Sequence, residues 1–199
     1  EKTTGREILK AGQPGNRIRF YEDRFPDRSP LPEHTWESWM ISYTGKEYGP
    51  AEVKGVHVTS EGKLGKCITV EREISLPGGN RSTRIFQDIY LVEDCPLLFF
   101  RTSGEWYACG VTAKAEFSFS FSADRVTAEM PYGVIEREAD YGWSREKTEK
   151  SSEDRNVWGK GTQEPDRPMQ RWIDFAADGD GGRAPFGVAL LNDGKYGYD

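Results

Sequence analysis

The sequence predicts an all-β protein, and three features of the chain support this fold class. In several short segments apolar residues recur at every second position, which is the pattern of a half-buried β-strand. The 22 glycines and 11 prolines among 199 residues supply the turns that many short strands require. No segment longer than about ten residues has the 3.6-residue apolar spacing of an amphipathic helix. We therefore expect antiparallel strands joined by tight turns.

The clearest strand signal lies in residues 115–122, where alanine and three phenylalanines alternate with glutamate and serine. Weaker alternation predicts further strands around residues 18–20, 56–58, 68–74 and 126–130. Residues 85–92 and 97–100 are apolar on both faces, which is typical of central strands covered by a second layer. Together these segments predict a large antiparallel β-sandwich.

Two segments interrupt this series of strands without dividing the chain. Residues 22–35 contain three prolines and precede an aromatic cluster of Trp36, Trp39 and Tyr43. Residues 144–164 are charged and poor in apolar side chains, which predicts a long solvated insertion. We expect one domain over residues 1–199 with this insertion at about 144–164.

The charge and the apolar runs of the sequence argue against two classes of partner. The net charge is −6. No run of lysine and arginine longer than two residues occurs, so the basic surface of a nucleic-acid-binding protein is missing. The longest strongly apolar run, residues 95–100, is far shorter than the roughly 18 residues that cross a bilayer. We expect neither nucleic acid nor a membrane as a partner.

The cysteines indicate the redox environment. Cys67, Cys95 and Cys109 are odd in number, lack C-x-x-C spacing and lie in apolar strand-like segments. This pattern predicts reduced, buried thiols and a cytoplasmic location.

The last fourteen residues carry a distinct local signal. Residues 186–191 form an apolar run, Asp193-Gly194 is a dipeptide typical of hairpin turns, and residues 195–198 resume as an aromatic segment. We predict a hairpin over residues 186–199 with Asp193-Gly194 at its tip. Because the chain begins without methionine and ends within a predicted strand, we expect an incomplete domain excised from a longer protein.

A set of motifs in one order resembles glycoside hydrolase family 38, the α-mannosidases. The C-terminal segment FGVALLNDGKYGYD is similar to the signature hairpin in the β-sandwich region of that family. The other matching segments, in chain order, are GREIL at residues 5–9, WESW at 36–39, GEW at 104–106, MPYGVIER at 130–137 and QRWID at 170–174.

The resemblance implies a parent protein with an α/β barrel, a helical bundle and large β-sandwich domains of the galactose-mutarotase-like type. In that family the aspartate nucleophile, the acid/base carboxylate and the zinc ligands come mainly from the barrel and the bundle. The parent would remove terminal α-mannosyl residues with retained configuration. This chain would be a non-catalytic β-domain that packs on the barrel and bundle of its own parent and lines part of the cleft for an α-mannoside or oligosaccharide.

The residues of this chain likewise indicate that the catalytic groups lie in another part of the parent. A catalytic zinc needs about three clustered ligands, and the two histidines, His34 and His57, show no ligand spacing. Glycoside hydrolysis needs two carboxylates about 5 to 9.5 Å apart, and no such pair is recognisable in the sequence. We therefore expect no catalytic residue, no metal site and no cofactor in this chain, and an inactive isolated domain, with zinc bound in the rest of the parent.

The candidate contacts to substrate follow from the resemblance, in which the signature hairpin lies toward the catalytic cleft. They are Asn192, Asp193, Lys195 and Tyr196. An alternative function from another class is a free-standing carbohydrate-binding module. The aromatic cluster at residues 36–43 is then either a sugar-stacking platform or part of a core.

Overall fold

The computed structural model describes residues 5–23, 43–62, 65–123, 125–139, 167–177 and 185–198. In chain order the strands are β1 (Gly15–Asp23), β2 (Tyr43–Tyr48), β3 (Glu52–Gly62), β4 (Gly65–Ile74), β5 (Thr83–Val92), β6 (Leu98–Glu105), β7 (Val111–Phe117), β8 (Arg125–Met130), β9 (Gly133–Glu138), β10 (Arg167–Pro168), β11 (Trp172–Ala177), β12 (Phe186–Leu191) and β13 (Gly197–Tyr198). These ranges contain no helix, and every strand pairing in them is antiparallel. The prediction of an antiparallel all-β fold is confirmed.

The chain divides into two compact units. One unit spans Pro14–Phe117, and the other combines Glu1–Gln13 with Ser118–Asp199. We call them the central unit and the terminal unit. The expectation of a single domain over residues 1–199 stays a prediction, and the proposed insertion at 144–164 lies outside the described residues. In the described ranges no helix is long and apolar enough to span a membrane.

The central unit is built from two sheets, ordered β2-β1-β7 and β3-β4-β5-β6. Phe20 of β1 and Ile85 of β5 are buried in one hydrophobic cluster, so both sheets contribute side chains to a shared core. A buried polar contact accompanies this packing, because the Nε2 group of Gln87 on β5 donates to the carbonyl of Asn16 on β1 at 2.8 Å. The unit thus has the layered core that the sequence predicts for a sandwich.

The two strands that were expected to be central differ in burial. Residues 85–92 lie in β5, between β4 and β6, as predicted. Residues 97–100 contribute to β6, which is an edge strand of the described sheet, and its eight residues are all exposed. The prediction for 97–100 is therefore wrong. An apolar run shows that a strand is suited to burial on both faces, but it does not specify what covers those faces.

The terminal unit contains a sheet of order β12-β11-β8-β9 and a small sheet of β10 and β13. Val126, Ala128 and Ile173 of the larger sheet are buried together with Met169, and Tyr198 of β13 packs against this cluster. The small sheet consequently lies over one face of the larger one.

The alternating segment at residues 115–122 does not form one continuous strand. Strand β7 ends at Phe117, where its pairing with β1 ends at Gly15. Phe119 then forms an isolated bridge with Leu9, on the other side of a turn at residues 11–12. The strand prediction is confirmed for residues 115–117, and Phe119 is paired only through the bridge, whereas residues 120 and 121 form a bend. The turn in the partner segment separates the two pairings.

The cysteine prediction is correct in one respect and wrong in another. All three thiols are free, but only Cys67 is buried, while Cys95 is half-buried and Cys109 is exposed. Cys67 lies within β4, whereas the other two lie in connections between strands, where side chains are less often covered.

Candidate functional site

The predicted substrate contacts lie where one antiparallel ladder bends. Strand β12 pairs with β11, ending with Leu191 opposite Trp172, and β13 pairs with β10, with Gly197 opposite Pro168. Between these two pairings, five residues, 192–196, face only three, 169–171. The longer segment must therefore bulge away from its partner, and we call residues 192–196 the excursion.

The predicted hairpin is consequently wrong in its pairing. Residues 186–191 and 195–198 do not pair with each other, because each pairs with part of residues 167–177. The Asp193-Gly194 turn is present, but it lies within the bend of the ladder. A local turn motif does not reveal that a more distant segment supplies the hydrogen-bonding partner for each flanking strand.

Asn192 holds the excursion in shape through both ends of its side-chain amide. Its Oδ1 accepts the backbone amides of Gly194 at 2.8 Å and Lys195 at 2.6 Å, which makes an Asx-type turn. Its Nδ2 donates to the carbonyl of Gln170 at 3.0 Å. Gly194 has φ +150°, a region that glycine adopts with little strain. Asn192 thus determines the local backbone and also attaches it to the facing segment.

The other three predicted contacts extend into solvent from this turn. The side chains of Asp193 and Lys195 are 94% and 75% exposed, and Tyr196 is 70% exposed. The Nζ group of Lys195 lies 3.1 Å from Oδ1 of Asp193. The hydrogen bond from Lys195 and the positive charge of Lys195 lower the pKa of the Asp193 carboxyl. Asp193 and Lys195 thus form an exposed ion pair, and Tyr196, the next residue along the chain, is exposed as well. These groups can bind the hydroxyls of a polar ligand.

A zinc site does not fit the described residues. Within the described ranges there is no group of three or more histidine, cysteine, aspartate or glutamate side chains that could hold a metal ion. His57 is described and lies on β3, whereas His34 lies outside the described residues. No reaction step is therefore assigned to a metal on this part of the chain.

The aromatic cluster proposed as a sugar platform lies largely beyond the described structure. Trp36 and Trp39 are outside it, and only the backbone of Tyr43, at the start of β2, is described. The choice between platform and core for these residues stays open.

A docking domain of a longer protein is expected to expose an apolar surface, but sequence reasoning did not locate it. One large apolar surface lies on the sheet β3-β4-β5-β6 of the central unit. Directly paired residues Val58, Ile68, Ile89 and Phe100 form an apolar row across all four strands. Directly paired residues share a face, so Val56 with Val70, and Leu91 with Leu98, extend this row. Val58 is 65% exposed. We call these eight residues the apolar face. Its signal in the sequence was the alternation in β3 and β4 together with the apolar runs in β5 and β6, but only the register shows that these residues align.

Tyr132 is a further exposed residue that sequence reasoning did not identify as a contact. It lies in the two-residue turn between β8 and β9, in which Met130 pairs with Gly133. Its side chain is fully exposed and its φ is +67°. The Pro-Tyr-Gly sequence signalled a turn, but not the outward position of the ring.

Comparisons with known proteins agree with this architecture. Residues 1–199 match the family described as "Glycosyl hydrolases family 38 C-terminal domain". The human protein "Alpha-mannosidase 2C1" is 26% identical over 199 residues, and its mouse counterpart is 25% identical over 201 residues. Each alignment covers 98% of this chain but only 16% of the relative, so the chain spans about a sixth of their length. The chain belongs to glycosyl hydrolase family 38, as a C-terminal domain of that family.

Proposed function

We propose that this chain is a non-catalytic β-domain of an α-mannosidase-like retaining glycoside hydrolase. In this role it packs on the catalytic barrel and helical bundle of the same parent and lines part of the cleft for an α-mannoside or oligosaccharide. The zinc and the catalytic carboxylates belong to the rest of that parent. The three free thiols suit a reducing compartment, and we propose the cytoplasm.

The observation that carries the packing role is the apolar face. Val56, Val58, Leu91 and Leu98 are each more than half exposed, and they lie on one face of adjoining strands. Soluble proteins seldom leave a contiguous apolar surface uncovered, and larger patches of this kind mark interaction sites. The named relatives are about six times longer than this chain, so most of such a protein is available to cover this face.

The excursion supports the contribution to the cleft. It presents Lys195, Asp193 and Tyr196 to solvent on a turn that Asn192 holds through three hydrogen bonds. A rigid turn with exposed polar groups suits recognition of sugar hydroxyls, because little conformational entropy is lost on binding. The names of the relatives indicate the substrate class, an α-mannoside.

The packing role is tested by placing a charge on the apolar face of the full-length parent. We expect Val58→Asp to lower the free energy of unfolding by about 1 to 3 kcal/mol, because the introduced carboxylate would be buried at the interface. Ser60→Asp is the matched control, since Ser60 is exposed on the same strand and does not belong to the apolar face. We expect the control to change stability by less than about 0.5 kcal/mol. Equal, small effects of both substitutions would argue against packing through this face and favour the free-standing module.

A further inference from the structure

Tyr132 combines full exposure with a backbone conformation that disfavours its side chain. Pro131 fixes the first position of the turn at negative φ, and Tyr132 follows at φ +67°. This is the second position of a type II turn, where glycine or asparagine is preferred. A bulky aromatic residue there is an outlier that costs conformational energy.

No packing in the described structure compensates for this cost. Tyr132 has a relative exposure of 109%, the highest among the exposed large apolar residues of the described ranges. The next position, Gly133, has open space where a Cβ would lie, so the tip is not crowded. Strained residues without a structural role are found preferentially at ligand-binding sites.

The turn containing Tyr132 lies at the same end of the terminal sheet as the excursion. Glu129, near the end of β8, accepts the amide of Gln170 on its carbonyl at 2.9 Å and that of Arg171 on Oε2 at 2.8 Å. The carbonyl of Arg171 in turn accepts the amide of Asn192 at 2.7 Å. Three adjacent segments are thus joined at this end, and two strand spacings separate Glu129 from Asn192 by about 10 Å.

At Glu129 and Asn192 the two segments are farther apart than the width of one pyranose ring. A ligand that contacts both the excursion and the turn containing Tyr132 would therefore contain more than one sugar unit. Tyrosine has a flat apolar body and a polar tip, so it can stack on the apolar face of a pyranose while its hydroxyl remains solvated. The net negative charge and the absence of a basic cluster make a neutral polymer a better match than a polyanion.

We infer that Tyr132 forms a second sugar subsite. Its ring stacks there on a saccharide unit beyond the one contacted by Lys195 and Tyr196. This inference rests on the proposed function, because it takes the substrate to be an α-linked mannose oligosaccharide. It deepens that proposal by making Tyr132 a residue that selects oligosaccharides over single mannosides.

The test uses the full-length parent and two substrates. One is an α-linked mannotriose, and the other is α-mannosyl fluoride, which has no second sugar and no aromatic leaving group. The measured quantity is the ratio of kcat/KM for the mannotriose to kcat/KM for the fluoride. We expect Tyr132→Gly to lower this ratio about tenfold and Tyr132→Phe to preserve it, because the ring provides the stacking. The midpoint of thermal unfolding of Tyr132→Gly should equal or exceed that of the wild type, because glycine suits the positive φ.

Phe99→Leu is the matched control, since Phe99 is an exposed aromatic residue on β6 of the central unit. An unchanged ratio in Tyr132→Gly, or an equal fall in Phe99→Leu, would overturn the subsite. If the wild-type parent hydrolyses neither substrate, the proposed function itself fails and the subsite fails with it. If the wild type hydrolyses both and the ratio does not respond to Tyr132, only the subsite fails.

Discussion

The side-chain oxygen of Asn192 accepts the backbone amide of Lys195 at 2.6 Å, so one residue determines where its neighbour's ammonium is presented. The same oxygen accepts the amide of Gly194, and the amide nitrogen donates to Gln170. The position of the exposed groups in the excursion therefore depends on a residue whose own side chain is half-buried.

Replacing Asn192 tests this dependence. We expect Asn192→Ala to destabilise the excursion by about 1 to 2 kcal/mol, because it removes three hydrogen bonds, two of them to backbone amides. Asn192→Asp keeps the acceptor oxygen and should destabilise the excursion less. Hydrogen exchange of the Gly194 and Lys195 amides is the direct measurement. Equal protection in the wild type and Asn192→Ala would show that the turn does not depend on this side chain.

Gln87 links strands of both sheets in the central unit. Its Nε2 donates to the carbonyl of Asn16, and its Oε1 accepts from Nε of Arg72 at 2.9 Å. Because Gln87 is 3% exposed, Gln87→Met would leave a buried carbonyl without its donor. We expect a loss of about 1 to 3 kcal/mol in the free energy of unfolding. Thr102→Val, at the exposed position directly opposite Gln87 on β6, is the control and should change stability by less than about 0.5 kcal/mol.

An ion pair on the same unit predicts a pH dependence of stability. Nε of Arg19 donates to Oε1 of Glu47 at 2.7 Å. This hydrogen bond lowers the pKa of Glu47 below its ordinary value of 4.5, although partial burial opposes the shift. The folded state therefore favours the carboxylate. Its contribution is fully present above pH 4.5 and is lost as the pH falls through the lowered pKa.

Lowering the pH should destabilise Glu47→Gln less than the wild type. The difference in the free energy of unfolding should be no more than about 1 kcal/mol, because the pair is partly exposed and screened by solvent. Denaturant unfolding between pH 6 and pH 3 measures this difference. Glu93→Gln, at an exposed position beyond β5, should retain the wild-type profile. A Glu47→Gln profile that coincides with that of the wild type would contradict the contribution of this pair.

The isolated 199-residue chain should not hydrolyse an α-mannoside, with or without added zinc. The described ranges contain no cluster of side chains suited to a metal ion, and the proposed function assigns the catalytic carboxylates to the rest of the parent. An activated aryl α-mannoside provides a sensitive assay. Zinc-dependent turnover by the purified chain would contradict this division of roles.

The sequence predicted individual strands better than their partners, for a physical reason. Alternation of residues at a spacing of two reports the local backbone and one buried face, and it located β1, β3, β4 and β8. Pairing depends on segments distant along the chain. The sequence therefore did not reveal that residues 186–191 and 195–198 both pair with residues 167–177.

The candidate site shows the same limit. The Asp193-Gly194 dipeptide predicted a turn, and that turn is present. The apolar face required the register of four strands, and the exposure of Tyr132 required the positions of its neighbours. Neither could be deduced from the local pattern alone.

The most direct measurement concerns Lys195 and Tyr196 in the full-length parent. We expect Lys195→Ala and Tyr196→Phe each to raise KM for an α-mannoside or to lower kcat, with a loss of about 1 to 3 kcal/mol in kcat/KM, because each removes a polar contact to substrate. The unfolding midpoint should not change, since both side chains are at least 70% exposed. Wild-type kinetics in both variants would contradict a contact between the excursion and the substrate, and would leave the excursion with no role beyond that of a turn.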